Sequence, residues 1–156
     1  MRLALFEPDI PQNLGAFIRL AACLGVPLDV IEPCGFPVDD KRIRRAAMDY
    51  YDQAEIARHA SWNAFQRDRK ENRAEGRLIL LTTAGAERFP DIAFRADDTL
   101  LLGRESVGVP AEVHDAADLS LRIPLHRSLR SLNVALSAAI VLGEALRQTN
   151  GYAALT

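Results

Sequence analysis

Apolar and polar positions along this chain fall into short blocks whose period switches repeatedly between that of a strand and that of a helix. Leu3 to Phe6, Leu28 to Ile31, Leu78 to Leu81, Thr99 to Leu102 and Leu119 to Ile123 are short apolar-rich segments that read as strands. Between them the spacing predicts helices over 12–24, 40–48, 53–73, 109–116 and 132–148. This alternation predicts an α/β fold, a mostly parallel sheet with helices on both faces. The last helix carries only Asn133 and Ser137 as polar side chains from Leu132 through Leu142. Neither face reads as solvated, so a helix covered on several sides is expected, in part by a partner subunit.

In an open parallel sheet, ligands bind beyond the carboxyl ends of the strands. That directs attention to TTAG after Leu81, GRESVGVP after Leu102 and PLHRSLRSLN after Ile123. In the third segment Pro124 ends the ladder, and Ser128, Arg130, Ser131 and Asn133 place hydroxyl, guanidinium and amide groups beside a helix start with unpaired N–H groups. The second pairs Gly103 and Gly108 with Glu105 and a helix-starting Pro110, a pattern that suits a plain turn as well as a ligand loop. Neither a GxxxxGK[ST] phosphate loop nor a GxGxxG fingerprint is present. Near the N-terminus, PQNLGAFIRL opens a helix after the first strand, with Asn13 and Gly15 at its start. Arg19 lies one turn further on, among Phe17, Ile18 and Leu20. An arginine so placed calls for an anionic partner, either a structural carboxylate or a group on a substrate.

Composition narrows the class. The 156 residues, 49% hydrophobic and 26% charged, suit one globular domain, 1–156. No apolar run approaches the roughly 20 residues that span a bilayer, and the N-terminal apolar stretch is too short for a signal peptide, so a cytoplasmic location is expected. Cys23 and Cys34 lack CxxC spacing and are read as thiols. His59, His114 and His126 show no ligand spacing, so no metal is expected. A net charge of -2 leaves nucleic-acid binding to local clusters. Lys41, Arg42, Arg44 and Arg45 follow the capping residues Asp39 and Asp40 and lead to Met48, Tyr50 and Tyr51; RNA contact and a solvated helix face are both open there. Arg67, Arg69, Lys70, Arg73 and Arg77 are diluted by Glu71 and Glu75 and favour a solvated face.

Taken in order and spacing, PQNLGAFIRL, LLGRESVGVP and IPLHRSLRSLNVALSAAIVL resemble the three signature motifs of the trefoil-knotted (SPOUT) RNA 2′-O-methyltransferases. IEPCGFPVDDKRIRRAAMDY is similar to the segment typical of the tRNA (cytidine/uridine-34-2′-O)-methyltransferase subgroup, and the likeness covers nearly the whole chain. The resemblance implies a C-terminal deep trefoil knot and a homodimer. It further implies S-adenosylmethionine as methyl donor, and the tRNA anticodon stem-loop as substrate, methylated on its wobble nucleotide. It places donor contacts on Leu81, Thr82, Gly103, Glu105, Ile123, Leu125 and Ser131, the latter also catalytic with Arg19 and Asn133. Arg19 matches the family's catalytic arginine; a permanently charged guanidinium suits stabilising alkoxide character or gripping a phosphate better than removing a proton. RNA contacts are expected at Lys41, Arg42, Arg45 and Arg130. Competing expectations are a binding-only knotted protein, the same fold acting on another RNA or a base, and an unrelated small-molecule enzyme using the Gly103 to Pro110 loop.

Overall fold

The computed structural model describes residues 1–37, 41–73 and 75–155. Seven strands form one parallel sheet in the order β3-β2-β1-β6-β4-β7-β5. They are β1 (Arg2–Phe6), β2 (Leu28–Ile31), β3 (Ile56–His59), β4 (Leu78–Leu81), β5 (Glu87–Arg88), β6 (Thr99–Leu102) and β7 (Leu119–Arg122). The helices are α1 (Pro11–Leu24), α2 (Lys41–Ala47), α3 (Trp62–Asn72), α4 (Ala111–Asp115) and α5 (Val134–Gln148), with 3₁₀ turns at Met48–Gln53, Phe89–Asp91 and Gly151–Ala154.

Side chains alternate across the sheet, and this splits the core in two. Leu3, Leu5, Leu28, Val30, Leu100 and Leu102 face one way, onto Leu14, Phe17 and Ile18 of α1, Ile43 of α2 and Val141 and Leu142 of α5. Ala4, Phe6, Ile31, Leu78, Leu80 and Leu101 face the other way, onto Trp62 and Phe65 of α3 and Val113 of α4. Burying one such Leu or Phe side chain contributes about 1.5–3 kcal/mol, which explains why strands this short hold. The layered α/β architecture agrees with the reading of the sequence.

Three details differ from it. The segment 53–73, expected as one helix, contains β3, and its helix starts only at Trp62, where the Ser61 hydroxyl accepts from the Ala64 N–H at 3.2 Å. Four residues, Ile-Ala-Arg-His, are too few to separate a strand from a helical turn by period. The helix over 40–48 ends at Ala47, because Met48 turns left-handed at φ 55°. The two-residue β5 lies below the length at which a pattern exists. The expected capping residues Asp39 and Asp40 lie outside the described residues.

Part of the second basic block turns inward, while Arg67 and Lys70 are exposed as expected. The Asp29 carboxylate, fully buried, accepts from Arg2 Nε at 2.9 Å and Arg73 Nη1 at 2.8 Å and lies 2.8 Å from His59 Nε2. Burial opposes its charge, but the hydrogen bonds from Arg2 and His59 outweigh that cost and hold its carboxyl below the usual range. Asp29, His59 and Asp68 have the closeness of a metal site, yet Arg2 and Arg73 already bind the carboxylates, so the group serves as an ionic brace between β1, β2 and α3. Arg77 pairs with Asp98 at 2.7 Å. These arginines are structural rather than a solvated face.

Candidate active site

Strand register assembles the site. Leu81, Leu102 and Leu121 stand side by side on β4, β6 and β7, and Leu5 pairs with Leu102. The chain therefore leaves four neighbouring strands at their carboxyl ends, and the segments from Glu7, Thr82, Gly103 and Ile123 surround a cavity of about 1140 Å³. Leu81, Thr82, Gly103, Glu105, Ile123, Leu125, Arg130, Ser131 and Asn133 all line it, so every expected donor-contact residue is brought to one place. Its floor is apolar, from Leu80, Leu102 and Leu121, while its rim carries backbone groups, hydroxyls and one carboxyl.

Two glycines permit this packing. A Cβ on Gly103 would lie 2.7 Å from the Gly108 carbonyl carbon and 2.8 Å from Val109 Cγ1. The 104–108 turn, closed by reciprocal backbone bonds between Arg104 and Gly108, can fold back only over a bare Cα. Gly85 is buried where the chain leaving β4 crosses the end of β7, and a Cβ there would lie 2.2 Å from the Leu121 carbonyl carbon. The crossing is pinned by Thr82 N–H to Leu121 O at 2.9 Å and by Arg122 Nη1 to the carbonyls of Gly85 and Ala86, each at 2.6 Å.

A polar chain ties the loops together. Asn133 Nδ2 donates to Asn13 Oδ1 at 3.0 Å, and Asn13 Nδ2 donates to Glu105 Oε1 at 2.9 Å. Glu105 and Asp9 then exchange backbone bonds, Asp9 N–H to Glu105 Oε2 at 3.2 Å and Glu105 N–H to Asp9 Oδ1 at 3.1 Å, and the Ser106 hydroxyl donates to Asp9. Burial, and then the hydrogen bond to Asp9, push the Glu105 carboxyl up. The hydrogen bond to Glu105 is also the leading cause that holds Asp9 below the ordinary aspartate range. Asn133 also caps α5, its Oδ1 accepting from Ala135 N–H at 2.9 Å and Leu136 N–H at 3.3 Å. Both ends of its amide are engaged, while the Ser131 and Arg130 side chains stand exposed at the rim. Asp9 and Asn13 were missing from the sequence-based site residues. The signal available was a polar pair flanking Pro11, which by itself reads as a helix start.

Arg19 is not at this cavity. It is exposed on α1, with Nη1 donating to Met48 Sδ at 3.1 Å and the guanidinium carbon 5.3 Å from the Tyr50 ring centroid. Among the described residues no carboxylate pairs with it. Within those residues the contacts of that arginine are uncharged. Lys41, Arg42 and Arg45 are exposed on α2, also away from the cavity.

The profile of the SpoU rRNA Methylase family matches residues 1–143. The chain belongs to the SpoU methylase family. A curated relative from Ancylobacter novellus, named tRNA (cytidine(34)-2'-O)-methyltransferase, is 57% identical over 154 residues, 98% of this chain and 96% of the relative. The protein of the same name from Escherichia coli (strain K12) is 40% identical over 154 residues, 97% of this chain and 95% of its own length. Among solved structures, one described as structural insights into the 2-OH methylation of C/U34 on tRNA superposes with a TM-score of 0.89 at 36% identity, covering 96% of each chain. The SpoU methyltransferase AviRb from Streptomyces viridochromogenes, in complex with the cofactor AdoMet, superposes with a TM-score of 0.88 at 27% identity over 95% of this chain and 60% of that one. No helix among the described residues of this SpoU methylase is long and apolar enough to cross a membrane.

Proposed function

We propose that this SpoU methylase is an S-adenosylmethionine-dependent tRNA 2′-O-ribose methyltransferase, acting in the cytoplasm on the wobble nucleotide of the anticodon. The observation that carries the reading is the Asn133–Asn13–Glu105 chain, which joins three segments far apart in sequence around one cavity. The cavity suits the donor: its volume accommodates a nucleoside-sized ligand, the bare Cα of Gly103 allows close backbone approach, and Glu105 offers a carboxyl to a cationic group. The relatives' name and the 36% identical neighbour supply the substrate.

When bound, the donor supplies an electrophilic sulfonium methyl. The chain's own task is to hold a ribose 2′-hydroxyl in line with it, since alignment alone can lower a barrier by roughly 7–11 kcal/mol. Ser131, exposed at the rim, orients the hydroxyl, while Asn133 and the Asp9–Glu105 pair keep the loops in register. Arg19 stabilises negative charge developing on the ribose oxygen or grips the adjacent phosphate. Lys41, Arg42 and Arg45 on α2, with Arg130 at the rim, contact the anticodon stem-loop backbone. The 82–86 crossing over β7 supports the reading of a threaded C-terminal segment, a deep trefoil knot within one 1–156 domain.

A homodimer completes the reading. Leu136 and Ile140, one turn apart on α5, are 58% and 44% exposed, and Leu129, Leu132 and Ile10 at the cavity are exposed too. Exposed apolar side chains of this size suit an interface with a second copy. Because Arg19 lies outside its own chain's cavity, the partner's α1 would bring it to the site. Leu136→Glu is expected to convert the dimer to monomer in sedimentation equilibrium and to remove activity; a dimer that persists would place the interface elsewhere. The reaction itself is tested by incubating the protein with labelled S-adenosylmethionine and bulk bacterial tRNA. Nucleoside analysis should find 2′-O-methylated pyrimidine at the anticodon's first position, and label confined to other positions or other RNA would overturn the assignment.

A further inference from the structure

We infer that Met48 and Tyr50 are positioning residues that hold the Arg19 guanidinium in a charge-neutral cradle and so keep its positive charge available to an anionic group of the RNA. The inference rests on the reading of Arg19 given above and concerns what surrounds it. A protein usually satisfies an arginine with a carboxylate, which fixes the side chain but cancels its charge. Among the described residues the two contacts are a thioether sulfur at 3.1 Å and an aromatic face at 5.3 Å. Both attract a cation, the sulfur as a weak acceptor and the ring through its quadrupole, and neither carries charge. The guanidinium is oriented without being neutralised.

The backbone is built for this contact. Met48 adopts φ 55°, a region that residues other than glycine seldom occupy, and it is 53% exposed. Hydrophobic burial therefore does not explain its conformation. The left-handed turn ends α2 and redirects the chain into the 3₁₀ turn Met48–Gln53, which packs on α1 and sets both the sulfur and the Tyr50 ring beside Arg19. Asp49, the carboxylate between them, is exposed and makes no ion pair with Arg19. On the far side of the turn, Arg44 stacks on Tyr51 at 4.6 Å, so a second arginine beside α1 is held by a ring as well. The placement of Arg19 and the basic α2 is thus a single unit, with the turn between them as the hinge of its geometry.

The test compares Tyr50→Phe, which keeps the ring, with Tyr50→Leu, which keeps bulk and loses the π face, together with Met48→Leu. Single-turnover methylation of tRNA, S-adenosylmethionine affinity by calorimetry and thermal midpoint are measured for each. Tyr50→Phe should turn over at the native rate. Tyr50→Leu should be about tenfold slower, with donor affinity unchanged and a midpoint matching that of Tyr50→Phe, and Met48→Leu should fall between them. In an Arg19→Ala background, Tyr50→Leu should add no further loss. Equal rates for the Phe and Leu variants, or a loss that persists without Arg19, would overturn the cradle alone. Full turnover by Arg19→Ala would instead sink the role of Arg19, and the cradle with it.

Discussion

Arg19→Ala is expected to lower the methyl-transfer rate by about a hundred- to a thousandfold, the usual cost of removing one preorganised donor to a developing oxyanion, while leaving S-adenosylmethionine binding unchanged. The separation follows from position. Arg19 is absent from the cavity wall, and its contacts are Met48 and Tyr50, not any residue expected to touch the donor. Its removal also costs little stability, because Arg19 is exposed and, among the described residues, has no carboxylate partner whose charge would be left buried. Single-turnover kinetics beside donor titration calorimetry decide the matter. Donor affinity falling in parallel with rate would mean that Arg19 reaches the donor, and the assignment to the ribose or phosphate would be abandoned.

Gly85→Ala is expected to be the most damaging conservative change in the chain. The added methyl would lie 2.2 Å from the Leu121 carbonyl carbon and 2.5 Å from the Arg122 amide nitrogen, and both are backbone atoms of a sheet strand. No rotamer change relieves such a contact, so the β4-to-β5 crossing must lift away from β7. Doing so strains the Thr82 to Leu121 bond and the two carbonyl contacts of Arg122. A loss of about 3 kcal/mol is expected, at the upper end for overpacking, which for a chain of this size lowers the melting temperature by roughly 10 °C. Because Thr82 to Ala84 form part of the cavity wall, donor binding should weaken as well. Native-like melting and donor affinity in this variant would show that the crossing can open freely, which would also remove the support it gives to a threaded C-terminus.

The outcome of Arg19 shows how local patterns mislead about partners. Ile18 and Leu20 flank it in sequence, which suggested an apolar setting, but on a helix adjacent residues point about 100° apart. Phe17 and Ile18 face the core, and Arg19 faces out. The basic block ending at Arg77 misled in the opposite sense. Its spacing suited a solvated face, yet Arg73 and Arg77 close on Asp29 and Asp98, which are far away in sequence and fully buried.

By itself the sequence determined the layered α/β class, four of the five helices and the three loops that meet at the cavity, because apolar periodicity, prolines and glycines act over a few residues. The same local patterns placed Gly103, Glu105, Ser131 and Asn133 in those loops. Only the tertiary structure decided what those loops do together. The Asp9–Glu105 pair joins residues 96 positions apart and Asn13–Asn133 joins residues 120 apart. Such contacts depend on β6 lying between β1 and β4, and on β7 lying between β4 and β5. Strand order is set by how whole faces pack and how crossings fit, and no local period encodes it. The same holds for the cradle at Arg19, where one left-handed residue, Met48, turns a helix end onto a neighbouring helix.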